Sequence, residues 1–322
     1  MSSLVENKCV LICDKFEPEG IEMLKQVGFK IIEMPMIEAD KLETAIAKAN
    51  IVIVRSRTKI TKDMLDKAGQ LDVIARPGTG VDNIDLKAAA DRGIPVFTSV
   101  EASTNAVAEL TIAMAINLAR SITLADAAMK NDRWIKDSLM GIEMREKQFG
   151  IIGLGRIGKR VAHLANALEM TVVAFEKEVV KPEVLLDLNI KQIDLEDLLR
   201  TSDFVTLHLP AGPDTINLIG KEQLKMMKKT AFLINTARGQ LVVEDDLHHA
   251  LVNGWIRGAA LDVFVTEPPV GNKLLSLSNL ISTPHIGAQI IEAQKQASIQ
   301  LATKIIEYFT EKSDTHDGKR TI

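Results

Sequence analysis

The amino-acid sequence predicts an α/β protein built from two doubly wound parallel sheets. Apolar strand segments alternate with helical segments along most of the 322 residues, an order typical of parallel sheets covered by helices. A glycine-rich turn at residues 150–158, Gly-Ile-Ile-Gly-Leu-Gly-Arg-Ile-Gly, lies near the middle of this series instead of at its start. The length suits about two domains of ordinary size. We therefore expect one domain to precede the domain that contains this turn.

The first series of elements ends before the glycine-rich turn. Its strands are predicted at residues 9–13, 30–34, 51–54, 73–75 and 96–98, and its helices at 20–27, 39–49, 62–68 and 86–91. A long apolar helix is expected over 102–120. The more polar segment 121–147 is interpreted as an arm or a domain connection.

The second series contains the turn and the elements after it. Strands are predicted at 148–152, 171–175, 204–209, 231–235, 259–263 and 280–283, and helices at 159–169, 195–200 and 243–253. A final amphipathic helix is expected over 290–309. The polar tail 310–322 is expected to fray.

Composition restricts the possible functions. Hydrophobic residues make up 46% and charged residues 25%, and the net charge is −4. With no basic excess and only 2 Trp, 1 Tyr and 9 Phe, nucleic-acid binding is not expected. Residues 1–8 contain no secretory signal, and the apolar stretch 110–119 is too short for a membrane span, so a cytoplasmic location is expected. Cys9 and Cys13 are expected to be buried thiols, because no further metal ligands are suitably spaced.

The glycine-rich turn is typical of a dinucleotide site. Gly153 allows the tight turn, Gly155 lets the backbone approach a pyrophosphate, and Gly158 lets the following helix pack on the strand. The first turn of that helix offers free amides to the phosphates. The next strand ends at Glu176, whose carboxylate can bind the ribose hydroxyls and repel a 2′-phosphate, which favours NAD over NADP. Glycines that merely close a turn are the alternative, disfavoured by the strand, helix and acid in register.

Polar residues follow three of the later strands. Because the carboxyl ends of parallel strands meet at one edge of a sheet, these residues are expected near one crevice. They are Arg238, Asp262, Glu267 and His285. Arg238 can bind the carboxylate of a 2-hydroxy or 2-oxo acid, His285 can exchange the hydroxyl proton, and Glu267 can orient the ring. Each has a structural alternative: a surface arginine, a turn glutamate or a loop histidine. His208 is interpreted as structural, since no acidic partner accompanies it.

The sequence resembles the D-isomer-specific 2-hydroxyacid dehydrogenase family over nearly its whole length. The resemblance is carried by Arg76-Pro-Gly-Thr-Gly-Val-Asp-Asn83, Ser-Thr-Asn-Ala-Val-Ala-Glu at 103–109, the glycine-rich turn, Asn235-Thr-Ala-Arg-Gly239, Ala260-Leu-Asp-Val-Phe264, Glu267-Pro-Pro, and Thr283-Pro-His-Ile-Gly287. It implies a flavodoxin-like substrate domain over residues 1–101, completed by 288–322. A Rossmann NAD-binding domain over 102–287 would be inserted into it. The resemblance also implies a homodimer formed through the nucleotide domain and the 121–147 arm.

The resemblance assigns roles to individual residues. Arg238, Glu267 and His285 match the catalytic trio of the family. NAD would contact Thr79, Gly153, Gly155, Arg156, Ile157, Gly158, Glu176, Leu209, Thr236, Asp262, Gly287 and Ala288. The substrate would contact Arg55, Gly78, Gly80, Asn105 and Arg238. No metal is implied.

The resemblance is strongest to the family members that act on D-3-phosphoglycerate. It implies hydride transfer between C2 of that acid and NAD, as in serine biosynthesis. Cations available for the phosphate are Arg55, Arg57, Lys59, Arg133 and Lys136. The chain departs from the phosphoglycerate members at Pro77, Glu176, Leu209 and Gln289-Ile290. No regulatory domain follows the last helix, so feedback control is not expected.

Two alternatives stay open at this point. One is a glyoxylate or hydroxypyruvate reductase that has the same trio but no phosphate site. The other is a non-catalytic NAD(H)-sensing protein of the corepressor type, which the complete trio disfavours. A formate dehydrogenase is disfavoured because formate has no hydroxyl proton to remove.

Overall fold

The structure, a computed structural model, divides the chain into two compact units. It describes the backbone of residues 7–317 and the side chains of residues 7–311. The first unit comprises Met1–Ser103 and Ala288–Ile322, and the second comprises Thr104–Gly287. The observed division at 103/104 lies two residues beyond the predicted one, because the long helix of the second unit begins at Thr104. Residues 1–6, which make up most of the segment predicted to contain no secretory signal, lie outside the described residues.

The first unit contains a five-stranded parallel sheet. Its strands are β1 (Cys9–Ile12), β2 (Lys30–Glu33), β3 (Ile51–Ile53), β4 (Val73–Arg76) and β5 (Val96–Thr98), in the order β2-β1-β3-β4-β5. Every residue of β1 and β3 is buried, as expected for strands covered by helices on both faces. The order is the flavodoxin-like one, so the predicted fold of this unit is confirmed.

The helices of the first unit come from both the N-terminal and the C-terminal part of the chain. They are α1 (Pro18–Val27), α2 (Ala39–Ile46), α3 (Lys62–Lys67), α4 (Leu86–Asp91) and α12 (Ile291–Asp317). A Cβ atom at Gly20 would lie 2.7 Å from the Ser298 carbonyl oxygen, so only glycine lets α1 approach α12 this closely. Helix α12 continues through residues 310–317, beyond the predicted end at 309, and the expectation that residues 310–322 fray stays a prediction. No proline or glycine occurs within residues 291–317, so the sequence favours a continuous helix there. Residues 318–322 lie outside the described part.

The second unit contains a seven-stranded parallel sheet. Its strands are β6 (Gln148–Ile152), β7 (Thr171–Phe175), β8 (Lys191–Gln192), β9 (Phe204–Leu207), β10 (Phe232–Asn235), β11 (Gly258–Leu261) and β12 (Leu280–Ser282). The order β12-β11-β10-β9-β6-β7-β8 is that of a Rossmann fold with one added strand, which confirms the predicted fold. The direction of winding reverses between β6 and β9, and nucleotides bind at such reversals.

Seven helices flank the strands of the second unit. They are α5 (Thr104–Arg120), α6 (Ile122–Met129), α7 (Arg156–Ala167), α8 (Pro182–Asp187), α9 (Leu195–Thr201), α10 (Lys221–Met226) and α11 (Glu244–Val252). Helix α7 begins three residues earlier than predicted, because Gly155 is its N-cap and the prediction followed only the apolar spacing. Within the described residues no single helix is long and apolar enough to cross a membrane. Only α5 and α6 together, as a pair bent by 64°, meet the length and composition.

Candidate active site

The glycine-rich turn connects β6 to α7 and is tight at two glycines and open at the third. Gly153 has φ +97°, and a Cβ atom there would lie 2.7 Å from the His208 carbonyl oxygen. A Cβ atom at Gly158 would lie 2.1 Å from the Gly153 carbonyl oxygen. Beside Gly155 no atom lies within 4 Å of the corresponding position. The backbone therefore leaves open space at the first turn of α7, where free amides can bind a phosphate.

The carboxylate of Glu176 is fixed beside this turn. Its Oε2 accepts a hydrogen bond from the Leu154 amide at 2.7 Å, and its Oε1 accepts one from the Lys177 amide at 3.1 Å. Leu209 also reaches the turn, since its Cδ2 lies 2.7 Å from the position of a Gly153 Cβ. Together with the open space at Gly155, an acid at the end of β7 fits the pyrophosphate and ribose of NAD.

The segment after β10 carries Arg238. The buried Asn235 donates from Nδ2 to the Arg238 carbonyl at 2.8 Å and accepts from the Ala237 amide at 3.0 Å. A Cβ atom at Gly239 would lie 2.0 Å from the Phe264 carbonyl carbon, so only glycine lets this segment pack on the chain after β11. These contacts fix the backbone of Arg238 against the segment that follows β11.

Asp262, at the end of β11, holds the segment that carries His285. Its side chain is buried, and its Oδ1 accepts from the Thr283 hydroxyl at 2.6 Å and from the Ile286 amide at 2.8 Å. Its Oδ2 accepts from the Gly287 amide at 2.9 Å. The backbone of His285 is left-handed, with φ +54°, and its amide donates to the Asp262 carbonyl at 2.9 Å. Asp262 therefore stabilises a conformation that a histidine rarely adopts.

Glu267 and His285 form a hydrogen-bonded pair. The Nδ1 atom of His285 lies 2.8 Å from Oε2 of Glu267, and Oε1 of Glu267 accepts from the Phe264 amide at 3.1 Å. The side chains are 44% and 39% exposed, so ligands can reach the pair. Because Nδ1 is occupied by the carboxylate, Nε2 is the ring nitrogen available for proton exchange. The structure thus brings together two residues of the predicted trio, with Arg238 on the adjacent segment.

Thr236 and Asn105 already have partners within the second unit. The Thr111 hydroxyl donates to the Val107 carbonyl at 2.8 Å and lies 2.9 Å from the Thr236 hydroxyl. Since Thr111 has one proton to donate, Thr236 is the donor between them and keeps its lone pairs for a ligand. The Asn105 Oδ1 accepts from Nε of Arg160 at 2.7 Å, so α5 and α7 hold this amide.

The first unit holds the remaining predicted ligand residues. Gly78 has φ +146° and donates its amide to the Ser99 hydroxyl at 2.9 Å, while the Thr79 and Ser103 hydroxyls lie 3.2 Å apart. The Gly80 carbonyl accepts from the Arg76 guanidinium. These bonds fix the turn from 78 to 80. In the same unit Ala288 accepts a bond from Gln294 at 2.6 Å.

Arg55 is half-buried, and both of its main-chain polar groups are bound by side chains. Its amide donates to Oδ2 of Asp14 at 2.7 Å, and its carbonyl accepts from Nδ2 of Asn83 at 2.7 Å. Burial lowers the pKa of Arg55, against a smaller opposing effect of Asp14 and Glu17. Its guanidinium makes no hydrogen bond or ion pair within the described part of the chain. Such a cation suits an anionic ligand.

The other predicted phosphate cations differ from Arg55. Arg57 donates to Asp14 and to the carbonyls of Cys13 and Ile37, so its guanidinium is used within the protein. Lys59, Arg133 and Lys136 are exposed. Roles for Asp14 and Asn83 were not predicted from the sequence, although both residues follow strands of the first series.

His208 differs from His285 in having no carboxylate beside it. Its Nε2 lies 3.1 Å from the Thr206 hydroxyl, and its buried Nδ1 has no partner among the described residues. Burial lowers the pKa of His208 to about 3, so the ring is neutral at physiological pH. Cys9 and Cys13 are buried free thiols, and the described residues include no group of three or more acidic, histidine or cysteine side chains able to hold a metal.

Comparisons with known proteins agree with this geometry. The family model described as D-isomer specific 2-hydroxyacid dehydrogenase, NAD binding domain, matches residues 112–287. D-3-phosphoglycerate dehydrogenase of Methanocaldococcus jannaschii is 42% identical over 92% of this chain and 56% of its own length. Hydroxypyruvate reductase of Thermotoga maritima is 38% identical over 92% of this chain and 96% of its own length. A solved structure of a Thermus thermophilus protein is 33% identical, with a TM-score of 0.84, over 91% of this chain and 94% of its own.

Proposed function

The chain belongs to the D-isomer-specific 2-hydroxyacid dehydrogenase family, and from that premise we propose that it transfers hydride between D-3-phosphoglycerate and NAD. The observation that carries the proposed chemistry is the 2.8 Å bond between Nδ1 of His285 and Glu267. The chain spans about half the length of the phosphoglycerate dehydrogenase relatives that it matches. The assignment of D-3-phosphoglycerate as the substrate therefore rests on the similarity to these relatives together with the position of Arg55.

Proton exchange at the substrate hydroxyl is the proposed role of His285. NAD, when bound, supplies the acceptor for the hydride that leaves C2. During oxidation Nε2 of His285 accepts the C2 hydroxyl proton, and in the reverse direction it returns that proton. Glu267 holds the ring through Nδ1 and stabilises the imidazolium that forms. Arg238 binds the substrate carboxylate through its planar guanidinium.

The cofactor is proposed to bind along the carboxyl ends of β6, β7 and β9. The turn from Gly153 to Gly158, with Arg156 and Ile157 in the first turn of α7, would bind the pyrophosphate. Glu176 would accept the ribose hydroxyls, and Thr236 would offer its free lone pairs. The predicted contacts of Thr79, Leu209, Asp262, Gly287 and Ala288 with NAD stay predictions. So do those of Gly78, Gly80 and Asn105 with the substrate.

Arg55 is proposed to bind the phosphate of the substrate. It is the one cation among the predicted candidates that is half-buried and has no acceptor in the described structure. Bringing a phosphate to it would form a charge-assisted hydrogen bond, the strongest kind available to a guanidinium. Hydroxypyruvate and glyoxylate lack this group.

A homodimer formed through the 121–147 arm is a further part of the proposal. Apolar side chains of this segment are exposed: Ile122 by 50%, Met129 by 56%, Trp134 by 78% and Met140 by 82%. Large apolar side chains grouped on a surface are typical of interfaces. Sedimentation of the protein and of Trp134→Glu tests this part, and a wild-type monomer contradicts it. The cytoplasmic location stays a prediction.

Initial rates of NADH oxidation with phosphohydroxypyruvate, hydroxypyruvate and glyoxylate, measured side by side, test the proposed function. We expect the highest kcat/KM with the phosphorylated acid. The match to hydroxypyruvate reductase over 96% of that enzyme's length favours hydroxypyruvate as the second candidate substrate. Equal rates without the phosphate would support that candidate, and no turnover with any of the three acids would favour an NAD(H)-sensing protein.

A further inference from the structure

We propose that Arg57 is the counter-ion of Asp14 and thereby leaves the Arg55 guanidinium, which has no hydrogen-bonded partner among the described residues, available to an anionic substrate group. Arg57 is then a positioning residue for substrate specificity and does not itself touch the phosphate. The inference rests on the proposed function, since it concerns how Arg55 stays available to bind the phosphate.

Asp14 is a buried carboxylate that requires compensation. Its side chain is 7% exposed, and the residue lies two positions beyond the end of β1. Oδ1 of Asp14 lies 2.9 Å from both Nε and Nη2 of Arg57, while Oδ2 accepts the Arg55 amide at 2.7 Å. A buried ionised carboxylate is tolerated only with a cation and hydrogen-bond donors around it. Arg57 provides that cation.

Each of the three guanidinium nitrogens of Arg57 donates to an acceptor of the protein. Besides Asp14, Nη2 donates to the Cys13 carbonyl at 2.9 Å and to the Thr58 hydroxyl at 3.0 Å. Nη1 donates to the Ile37 carbonyl at 3.2 Å. Breaking these bonds to bind a substrate would leave the carboxylate of Asp14 without its partner. Arg57 is thus a fixed part of the first unit.

The same carboxylate is also hydrogen-bonded to the main chain of Arg55. Asp14 binds the Arg55 amide, and its charge acts on the Arg55 guanidinium, which is half-buried and has no acceptor in the described structure. One carboxylate therefore has two arginines near it and is hydrogen-bonded to the side chain of one. If Arg57 lost its charge, Arg55, on which the charge of Asp14 already acts, would be a cation able to compensate this carboxylate. An arginine paired in that way binds a phosphate more weakly.

Substitution of Arg57 distinguishes a counter-ion of Asp14 from a residue that contacts the substrate phosphate itself. In Arg57→Gln we expect KM for phosphohydroxypyruvate to rise about 3- to 10-fold, with little change in kcat, because Asp14 then competes for Arg55. KM for hydroxypyruvate should change less. In Asp14→Asn/Arg57→Gln most of the increase should disappear, because the competing charge is gone. Lys59→Gln, an exposed lysine on the same segment, is the matched control for loss of one positive charge.

Several outcomes would overturn the inference. A double variant with KM as high as that of Arg57→Gln would mean that Arg57 contacts the phosphate itself. An equal increase in Lys59→Gln would mean that only the overall charge matters. If Arg57→Gln does not fold, the double variant alone decides, since it must fold and keep the wild-type preference for the phosphorylated acid. Arg55→Ala serves as the reference variant. If its KM for phosphohydroxypyruvate is unchanged, Arg55 does not bind the phosphate. If KM rises in Arg55→Ala but not in Arg57→Gln, only the role inferred for Arg57 is contradicted.

Discussion

The strand ends of the two units use charged side chains in opposite ways. In the second unit, Glu267 and His285 bind each other through their side chains at 2.8 Å. In the first unit, Asp14 and Asn83 bind the main chain of Arg55 and leave its guanidinium without an acceptor in the described structure. The difference fits the task proposed for each cluster. A carboxylate beside a histidine favours proton exchange by the ring, whereas a guanidinium that donates to no protein group is available to an anion.

Both units also share one device, an aspartate at a strand end that binds backbone amides. Asp14 accepts the amide of Arg55 in the first unit. Asp262 accepts the amides of Ile286 and Gly287 in the second. In each case a buried carboxylate fixes the segment that carries the proposed functional side chain. The two clusters therefore differ in the side chain that the fixed segment carries, which is Arg55 in the first unit and His285 in the second.

Removal of the proton-exchanging ring should have the largest effect. In His285→Ala we expect kcat to fall about 10²- to 10⁴-fold, because a positioned acid-base group contributes that much. The Kd for NADH, measured by fluorescence titration, should change little, since the glycine-rich turn and Glu176 are untouched. Retained turnover would remove His285 from this role.

Breaking the pair while keeping its shape should have the next largest effect. Glu267→Gln can still accept the Phe264 amide, but it carries no charge to stabilise an imidazolium. We expect kcat to fall about 10- to 100-fold. Glu267→Asp, which keeps the charge on a shorter side chain, should recover part of the loss. Normal kcat in Glu267→Gln would show that the pairing is structural only.

Glu176 is a carboxylate of the second unit that accepts a backbone amide, as Asp14 does in the first unit. Glu176→Gln keeps an oxygen for the Leu154 amide and removes the charge. We expect the preference for NADH over NADPH, measured as the ratio of their Kd values, to fall about tenfold, equivalent to roughly 1.4 kcal/mol. An unchanged ratio would place the selectivity elsewhere.

His208 provides the smallest expected effect, on stability alone. Its pKa is about 3 in the folded chain and 6.5 in an exposed histidine, so between these values the unfolded chain binds a proton that the folded one does not. Stability is therefore lost as pH falls below 6.5, by about 2 kcal/mol at pH 5. Denaturant unfolding at pH 7 and pH 5 should show this extra loss in the wild type and not in His208→Asn. Equal losses in both would contradict a neutral buried ring.

Much of the fold follows from the sequence because its strands are buried on both faces and read as apolar runs. The elements that the pattern missed, such as α8, β8 and α10, have two to six residues, too few to show a period. The extent of α12 was also missed, because polar helix formers continue it without an apolar face. Sheet order became predictable only through the family resemblance.

For the candidate site, the sequence predicts residues at strand ends but not which of them pair with each other. His285 and Glu267 were found because both follow strands of one series, but their pairing joins residues 18 apart in the sequence and depends on the fold. Asp14 and Arg57 are separated by 43 residues, and no local pattern links them. Arg57 therefore looked like a phosphate ligand in the sequence, whereas its contacts make it a counter-ion.

We propose that Arg55, whose guanidinium has no acceptor in the described structure, selects the substrate, while Glu267 and His285 perform the chemistry. The most direct test is kcat/KM for phosphohydroxypyruvate divided by kcat/KM for hydroxypyruvate, in the wild type and in Arg55→Ala. We predict a ratio well above one in the wild type and a decrease of about 10- to 100-fold in Arg55→Ala, with kcat for hydroxypyruvate retained. A ratio near one in the wild type, or one that Arg55→Ala leaves unchanged, would contradict the account.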